Sequence, residues 1–123
     1  MKLFMLFAAA FGALSVGAGA FGAHALRAKL EPRMLEVWET AAQYQMYHAL
    51  ALLAVAWLIS KSPSTVATAA GWAFIIGVLI FSGSLYAMAL SGVRVLGAIT
   101  PIGGVAFIIG WICLAIAATK LPS

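Results

Sequence analysis

Four polar side chains are spaced so that they share one face of a helix. Thr40, Tyr44, Tyr47 and His48 follow an i, i+4, i+7, i+8 pattern, which places side chains on a single stripe of an α-helix. Polar groups are costly in lipid, so we expect the stripe to face protein. A histidine inside the membrane, such as His48, could mark a path for protons or for a substrate. Hydrogen bonding between helices is the alternative, and the pattern favours it.

Polar and aromatic side chains also interrupt the other apolar stretches. Ser82 and Tyr86 lie one helical turn apart, with Ser84 between them. Trp111 lies near the middle of the last stretch, so its indole N–H needs a buried acceptor. His24 lies near the end of the first apolar stretch, where water can reach it, so we expect its side chain to make a polar contact at a helix end. We predict one polar seam inside a bundle, a candidate binding site formed by Thr40, Tyr44, Tyr47, His48, Ser82, Ser84, Tyr86, Trp111 and His24.

The two histidines do not indicate a metal or haem site. His24 and His48 are expected to lie roughly 10 to 15 Å apart along the membrane normal, and zinc needs three or four ligands. Cys113 is the single cysteine, so a disulfide cannot form within the chain. The sequence contains neither a nucleophile with a spaced base nor a glycine-rich phosphate loop. We therefore expect no metal and no cofactor, and catalysis is disfavoured but left open.

The composition is that of a membrane protein. Of 123 residues, 65% are hydrophobic and 8% are charged, whereas soluble domains average about 45 to 50% and about 25%. A chain of this length forms one domain. The net charge is +4, but the basic residues are scattered between apolar runs and form no basic face. Nucleic acid is therefore excluded as a partner.

Four apolar stretches are each long enough to cross about 30 Å of hydrocarbon as a helix. All charged residues lie between them or at their edges, because a charge at mid-bilayer costs about 2.5 to 3.5 kcal/mol. The first stretch is longer than the roughly 7 to 15 residues of a signal-peptide core, so we expect a retained span. We predict an all-α fold, an integral membrane four-helix bundle, with spans at 3–26, 37–59, 66–90 and 96–119.

Local signals set the depth and the ends of these helices. Trp38 and Trp57 are nineteen steps apart, roughly 28 Å at about 1.5 Å per residue, and tryptophan prefers the membrane interface. His48 is ten steps from Trp38 and is therefore expected near the midplane. Pro32 is suited to the first turn of the second helix. Thr100 is predicted to cap the last helix.

Small residues recur every fourth position of the first stretch, as Ala9-Ala13-Gly17 and as Ser15-Gly19-Ala23. Such faces let membrane helices approach closely. Four short helices enclose little beyond their own side chains, so any pore would form between protomers. We expect a homo-oligomer in contact with membrane lipid.

Several segments together resemble a known family. They are residues 19–24, 40–41, 44–53, 81–86, 99–104 and 110–111. In this order they are similar to the YgdD-like family of small bacterial membrane proteins (domain of unknown function 423), which has similar proteins in eukaryotes. The resemblance implies four transmembrane helices in the bacterial inner membrane. It implies no activity and supplies no site residues.

Three classes of function stay open on this sequence. The favoured class is a non-enzymatic protein that associates with lipid, with membrane partners or with itself, and it predicts a dry, fully bonded seam. The second is a small transporter or channel whose path is lined by His48. The third is a membrane enzyme or redox protein, which predicts a pocket that contains His48 and a bound organic molecule or cofactor; such a small-molecule ligand is unidentified. Three basic residues lie at one membrane side and four at the other, too even a split to set orientation. Lys2 precedes the first helix, so we expect both termini in the cytoplasm.

Overall fold

The fold is an all-α bundle. The computed structural model describes residues 2–122, and those residues contain no strand. The four helices are α1 (Lys2–Leu26), α2 (Pro32–Lys61), α3 (Thr65–Ser91) and α4 (Thr100–Ala118). A short 3-10 helix, Arg94–Ala98, precedes α4. The all-α, four-helix prediction is confirmed.

Three of these helices are long and apolar enough to cross a membrane. They are α1, α3 and the segment Arg94–Ala118, which contains α4. The remaining helix, α2, has ample length but a lower mean hydropathy, because it contains Gln43, Gln45 and several charged residues in addition to the polar stripe. The chain is thus an integral membrane helical protein, and the crossing of α2 as a further span stays a prediction.

The helix α2 connects the two halves of the bundle. It packs along α1 on one side and against α3 on the other, while α3 packs along α4. The apolar core lies where these pairs meet and contains Phe4, Leu52, Val55, Phe74 and Phe107. The contact between α2 and α4 is short, and it joins His48 of the candidate site to Trp111.

Glycines allow α3 and α4 to pack closely. The ring of Phe74 rests on Gly110, where an added Cβ would lie 2.6 Å from it. Phe107 rests on Gly77 in the same way, and Gly103 lies against the backbone of Phe81. A larger residue at any of these glycines would force the helices apart. Close packing of this kind replaces the hydrophobic drive that lipid does not supply.

A π-helical turn interrupts α1 at Gly17–Gly22, and another interrupts α3 at Val78–Ser82. Such turns change the register of the backbone carbonyls within a helix. In the first turn, the Ala18 carbonyl accepts a 2.7 Å hydrogen bond from Trp38 Nε1. The sequence marks Trp38 only as an interfacial residue, whereas the structure uses it to join α1 to α2.

The helix ends agree with the sequence in one place and differ in another. Pro32 opens α2, as predicted. Gly92 ends α3 in the left-handed conformation, with φ of 73°, as is common at helix C-termini. The prediction that Thr100 caps α4 is wrong, because the cap position is Ile99 and carries no side-chain hydrogen bond. The Thr100 hydroxyl instead lies 2.6 Å from Ser84 Oγ, where it links α4 to α3.

Candidate functional site

The predicted polar seam forms two separate clusters. The buried face of α2 runs through Ala41, Gln45, His48, Leu52 and Val55, with spacings of four and three residues. From this face Gln45 reaches α1 and α3, and His48 reaches α4. We call these the glutamine cluster (Gln45, Tyr86 and the Phe11 carbonyl) and the histidine cluster (His48, Tyr44, Phe107 and Trp111).

In the histidine cluster both ring nitrogens of His48 are hydrogen-bonded. Trp111 Nε1 donates to His48 Nε2 over 3.1 Å, which supplies the acceptor that the sequence requires for this indole. An indole N–H can only donate, so His48 Nε2 must be the unprotonated nitrogen. His48 Nδ1 therefore carries the proton and donates to the Tyr44 carbonyl at 2.7 Å. The geometry assigns a neutral imidazole in a single tautomer.

Aromatic contacts fix the orientation of this imidazole. Its ring stacks on Phe107, with centroids 3.5 Å apart and planes 6° from parallel. Phe74 packs against both His48 and Trp111, with its ring centroid 5.6 Å from the first and 5.1 Å from the second. His48 is only 4% exposed. The ring is thus enclosed by apolar neighbours and anchored at both nitrogens.

The other members of the predicted stripe lie at the edge of the protein interior and are not buried in it. Tyr44 and Tyr47 are 37% and 48% exposed, and Thr40 is half-buried. The prediction is wrong for the two tyrosines because the buried face of α2 is offset by one position, roughly 100° around the helix, from the stripe that their spacing defines. Of the predicted stripe, only His48 belongs to the buried face.

The exposed tyrosines line an open groove between α2 and α4. Its volume is about 520 Å³, and its walls are mainly aromatic. We call it the aromatic groove. Its lining includes Tyr44, Tyr47, Gly104, Phe107, Ile108 and Trp111, with His48 among them. The surface around it is apolar, as expected for a helix face in contact with lipid or with another protein.

The glutamine cluster joins three helices, and its central residue, Gln45, is not among the residues of the predicted seam. Gln45 is 5% exposed. Its amide Nε2 donates to the Phe11 carbonyl of α1 at 2.9 Å, and its Oε1 accepts from Tyr86 OH of α3 at 2.8 Å. Gln45 follows Trp38 by seven residues on the same helix face. That seven-residue spacing is the feature of the sequence that indicates a buried position for Gln45.

Two of the three buried serines, Ser82 and Ser84, bond to a neighbouring helix or to their own turn. Ser82 Oγ donates to the Ala41 carbonyl of α2 at 2.7 Å. Ser84 Oγ donates to the Phe81 carbonyl at 2.9 Å and also contacts Thr100. Ser15 is buried, and its hydroxyl has no hydrogen-bond partner among residues 2–122. His24 lies exposed in the last turn of α1 and belongs to neither cluster.

Replacing Tyr86 with Phe is expected to lower the free energy of unfolding by about 0.6 to 1.7 kcal/mol, the range for hydrogen bonds between membrane helices. The substitution removes the donor to Gln45 Oε1 and leaves a buried acceptor unpaired. Thermal or SDS unfolding of the purified protein measures the loss. Tyr47→Phe, which alters a half-exposed ring, is the matched control and should change stability by less than about 0.5 kcal/mol. Equal losses in both variants would contradict the assigned bond.

Side chains that could bind a metal ion are dispersed among the described residues. Among residues 2–122, no three His, Cys, Asp or Glu side chains come together in a way that could hold a metal ion. The one histidine at the bundle interior already uses both nitrogens. What the arrangement provides is a rigid interior and an aromatic surface.

Known proteins are similar in sequence to this chain over nearly its full length. Residues 18–104 match a family model described as "Protein of unknown function (DUF423)". The chain is 52% identical over 120 residues to a UPF0382 membrane protein of Staphylococcus epidermidis, covering 98% of both chains. It is 50% identical over 121 residues to the UPF0382 membrane protein YwdK of Bacillus subtilis, again covering 98% of each. No solved structure matches.

Proposed function

The chain belongs to the DUF423 family of membrane proteins of unknown function, and from this premise we propose that it acts without catalysis, by association. Its partners are membrane lipid, other membrane proteins or copies of itself. The bundle interior stabilises the fold in this proposal, and the lipid-facing surface makes the functional contacts. The protein lies in the bacterial inner membrane with both termini in the cytoplasm.

The bonding of the interior polar groups carries the proposal. A group that transfers protons must reach its substrate or a water molecule. His48 uses Nδ1 for the Tyr44 carbonyl and Nε2 for Trp111, so neither nitrogen is free for such a role. Gln45 likewise uses both ends of its amide. These side chains serve the bundle itself, which supports a structural role for them.

The aromatic groove is the surface best suited to association. Tyr44, Tyr47 and Trp111 expose between 37% and 48% of their area beside it. Large aromatic side chains dominate contact energies at protein interfaces. The proposed occupant is a lipid chain or an apolar helix, because the groove walls offer rings and few polar atoms.

Filling the aromatic groove tests this assignment. Gly104 lines the groove, and an added Cβ there meets nothing within 4 Å, so the side chain of Gly104→Leu starts in open space and extends toward the groove. A native mass spectrum of the gently extracted wild type is expected to show a second copy or a retained lipid, and Gly104→Leu should lose it.

Gly12→Leu is the control, since Gly12 lies on α1 and also has open space. It should behave like the wild type. Bare monomer in the wild-type spectrum would contradict association. Loss of the partner in Gly12→Leu alone would exclude the groove as the contact and assign it to α1.

Transport is the second candidate, because His48 is one of the groove-lining residues. In this alternative the imidazole leaves its two partners and lines a path between protomers. Proton flux in proteoliposomes, measured with a pH-sensitive dye, separates the candidates. Association predicts no flux above that of empty vesicles, whereas transport predicts flux that His48→Gln abolishes.

A further inference from the structure

The charges of the chain are unequally divided between the two ends of the bundle. All three acidic side chains, Glu31, Glu36 and Glu39, lie at the end that holds the α1–α2 connection. One of them, Glu31, pairs with Arg94 at 3.6 Å. We call this the mixed end. Its basic residues are Arg27, Lys29, Arg33 and Arg94, and the carboxylates offset most of their charge.

The opposite end carries lysines without any acidic side chain. We call it the lysine end, formed by Lys2, Lys61 and Lys120, which are all exposed. Lys61 ends α2 beside the end of α4, because Ser62 Oγ donates to the Lys120 carbonyl at 3.4 Å. Lys2 opens α1, and the contact between Phe4 and Trp72, with centroids 5.6 Å apart, holds that opening against α3. Packing therefore places the three cations at the same end of the bundle.

Exposed tryptophans place the lysine end at the headgroup level of a bilayer. Trp57 precedes Lys61 by one turn of α2 and is 53% exposed. Trp72 lies about two turns inside α3 and is also exposed. Tryptophan prefers the interface between hydrocarbon and headgroups. Lysine side chains extend from there toward the phosphate groups.

We propose that the lysine end binds the headgroups of anionic phospholipids. The inference rests on the proposed association with lipid and names the lipid class. Basic residues near an anionic membrane surface each contribute about five-fold in binding, which corresponds to about 1 kcal/mol. One engaged lysine therefore gives about a five-fold preference over a zwitterionic lipid, and three give on the order of a hundred-fold. The mixed end lacks this complementarity because its carboxylates repel the same headgroups.

Lipid competition on the full chain tests the proposal. Purified protein in mild detergent is titrated with phosphatidylglycerol and phosphatidylcholine of the same acyl chains, and bound lipid is counted by native mass spectrometry. The wild type is expected to prefer phosphatidylglycerol by at least about five-fold. The triple variant Lys2→Gln, Lys61→Gln, Lys120→Gln should bind both lipids equally.

The matched control removes three cations from the mixed end, as Arg27→Gln, Lys29→Gln and Arg33→Gln, and should keep the wild-type preference. Raising the salt concentration should weaken that preference in the wild type, since exposed charges are screened. Equal binding of the two lipids by the wild type would overturn the proposal, as would equal losses in the two triple variants. An oligomer that shows no lipid preference would overturn only this inference, whereas bare monomer would also overturn the proposed function.

Discussion

Gly103→Ala is expected to lower the free energy of unfolding by about 1 to 3 kcal/mol, the usual cost of overpacking a close contact. A methyl group at this position would overlap the backbone of Phe81, and backbone cannot rotate away as a flexible side chain can. The helices α3 and α4 would have to separate along the contact that joins them. Unfolding of the detergent-solubilised protein, followed by circular dichroism, measures the effect.

The next residue along α4 provides the control. Gly104 is also a helical glycine, but an added Cβ there meets nothing within 4 Å. Gly104→Ala should leave stability unchanged or raise it by up to about 1 kcal/mol, because alanine favours the helix over glycine. Equal losses from the two substitutions would show that the packing of α3 on α4 differs from that described.

His48→Ala is expected to destabilise the bundle by about 2 to 4 kcal/mol. The substitution removes a ring that stacks on Phe107 at 3.5 Å and leaves a cavity among aromatic neighbours. It also deprives Trp111 Nε1 of its acceptor. Thermal unfolding in detergent measures the loss.

Trp111→Phe separates the hydrogen bond from the packing. It keeps an aromatic ring near Phe74 but removes the N–H donor, so the expected loss is only about 0.6 to 1.7 kcal/mol. A His48→Ala variant with wild-type stability would contradict the structural role given to the histidine cluster. The same result would favour the transport alternative.

The sequence predicts the helices well because their signals are local. Apolar length sets the four helices, Pro32 opens α2 as expected, and charges mark the connections. The predicted stripe on α2 lies one residue away from the buried face, since positions 40, 44 and 47 follow the same spacing as the buried positions 41, 45 and 48. Helical periodicity shows that a face exists. Which of two neighbouring faces is buried depends on the packing partners.

Most partners in the two clusters have no signal in the sequence. Gln45 and Ser82 donate to backbone carbonyls of other helices, and every residue possesses such a carbonyl. Trp111 and His48 are 63 positions apart. The π-helical turns shift the register of α1 and α3, so ideal helical spacing does not predict which carbonyl a neighbour meets. These contacts can therefore be identified only from the three-dimensional structure.

We propose that the interior polar side chains stabilise the bundle and that the protein acts from its surface. Nitrogen NMR of His48 in labelled protein, reconstituted in lipid, tests this most directly, because the tautomer reports both hydrogen bonds at once. We expect a neutral ring protonated on Nδ1, with a coupling across the hydrogen bond from Trp111 Nε1 to His48 Nε2. A ring protonated on Nε2, or a doubly protonated ring, would contradict it, because His48 could not then accept from Trp111.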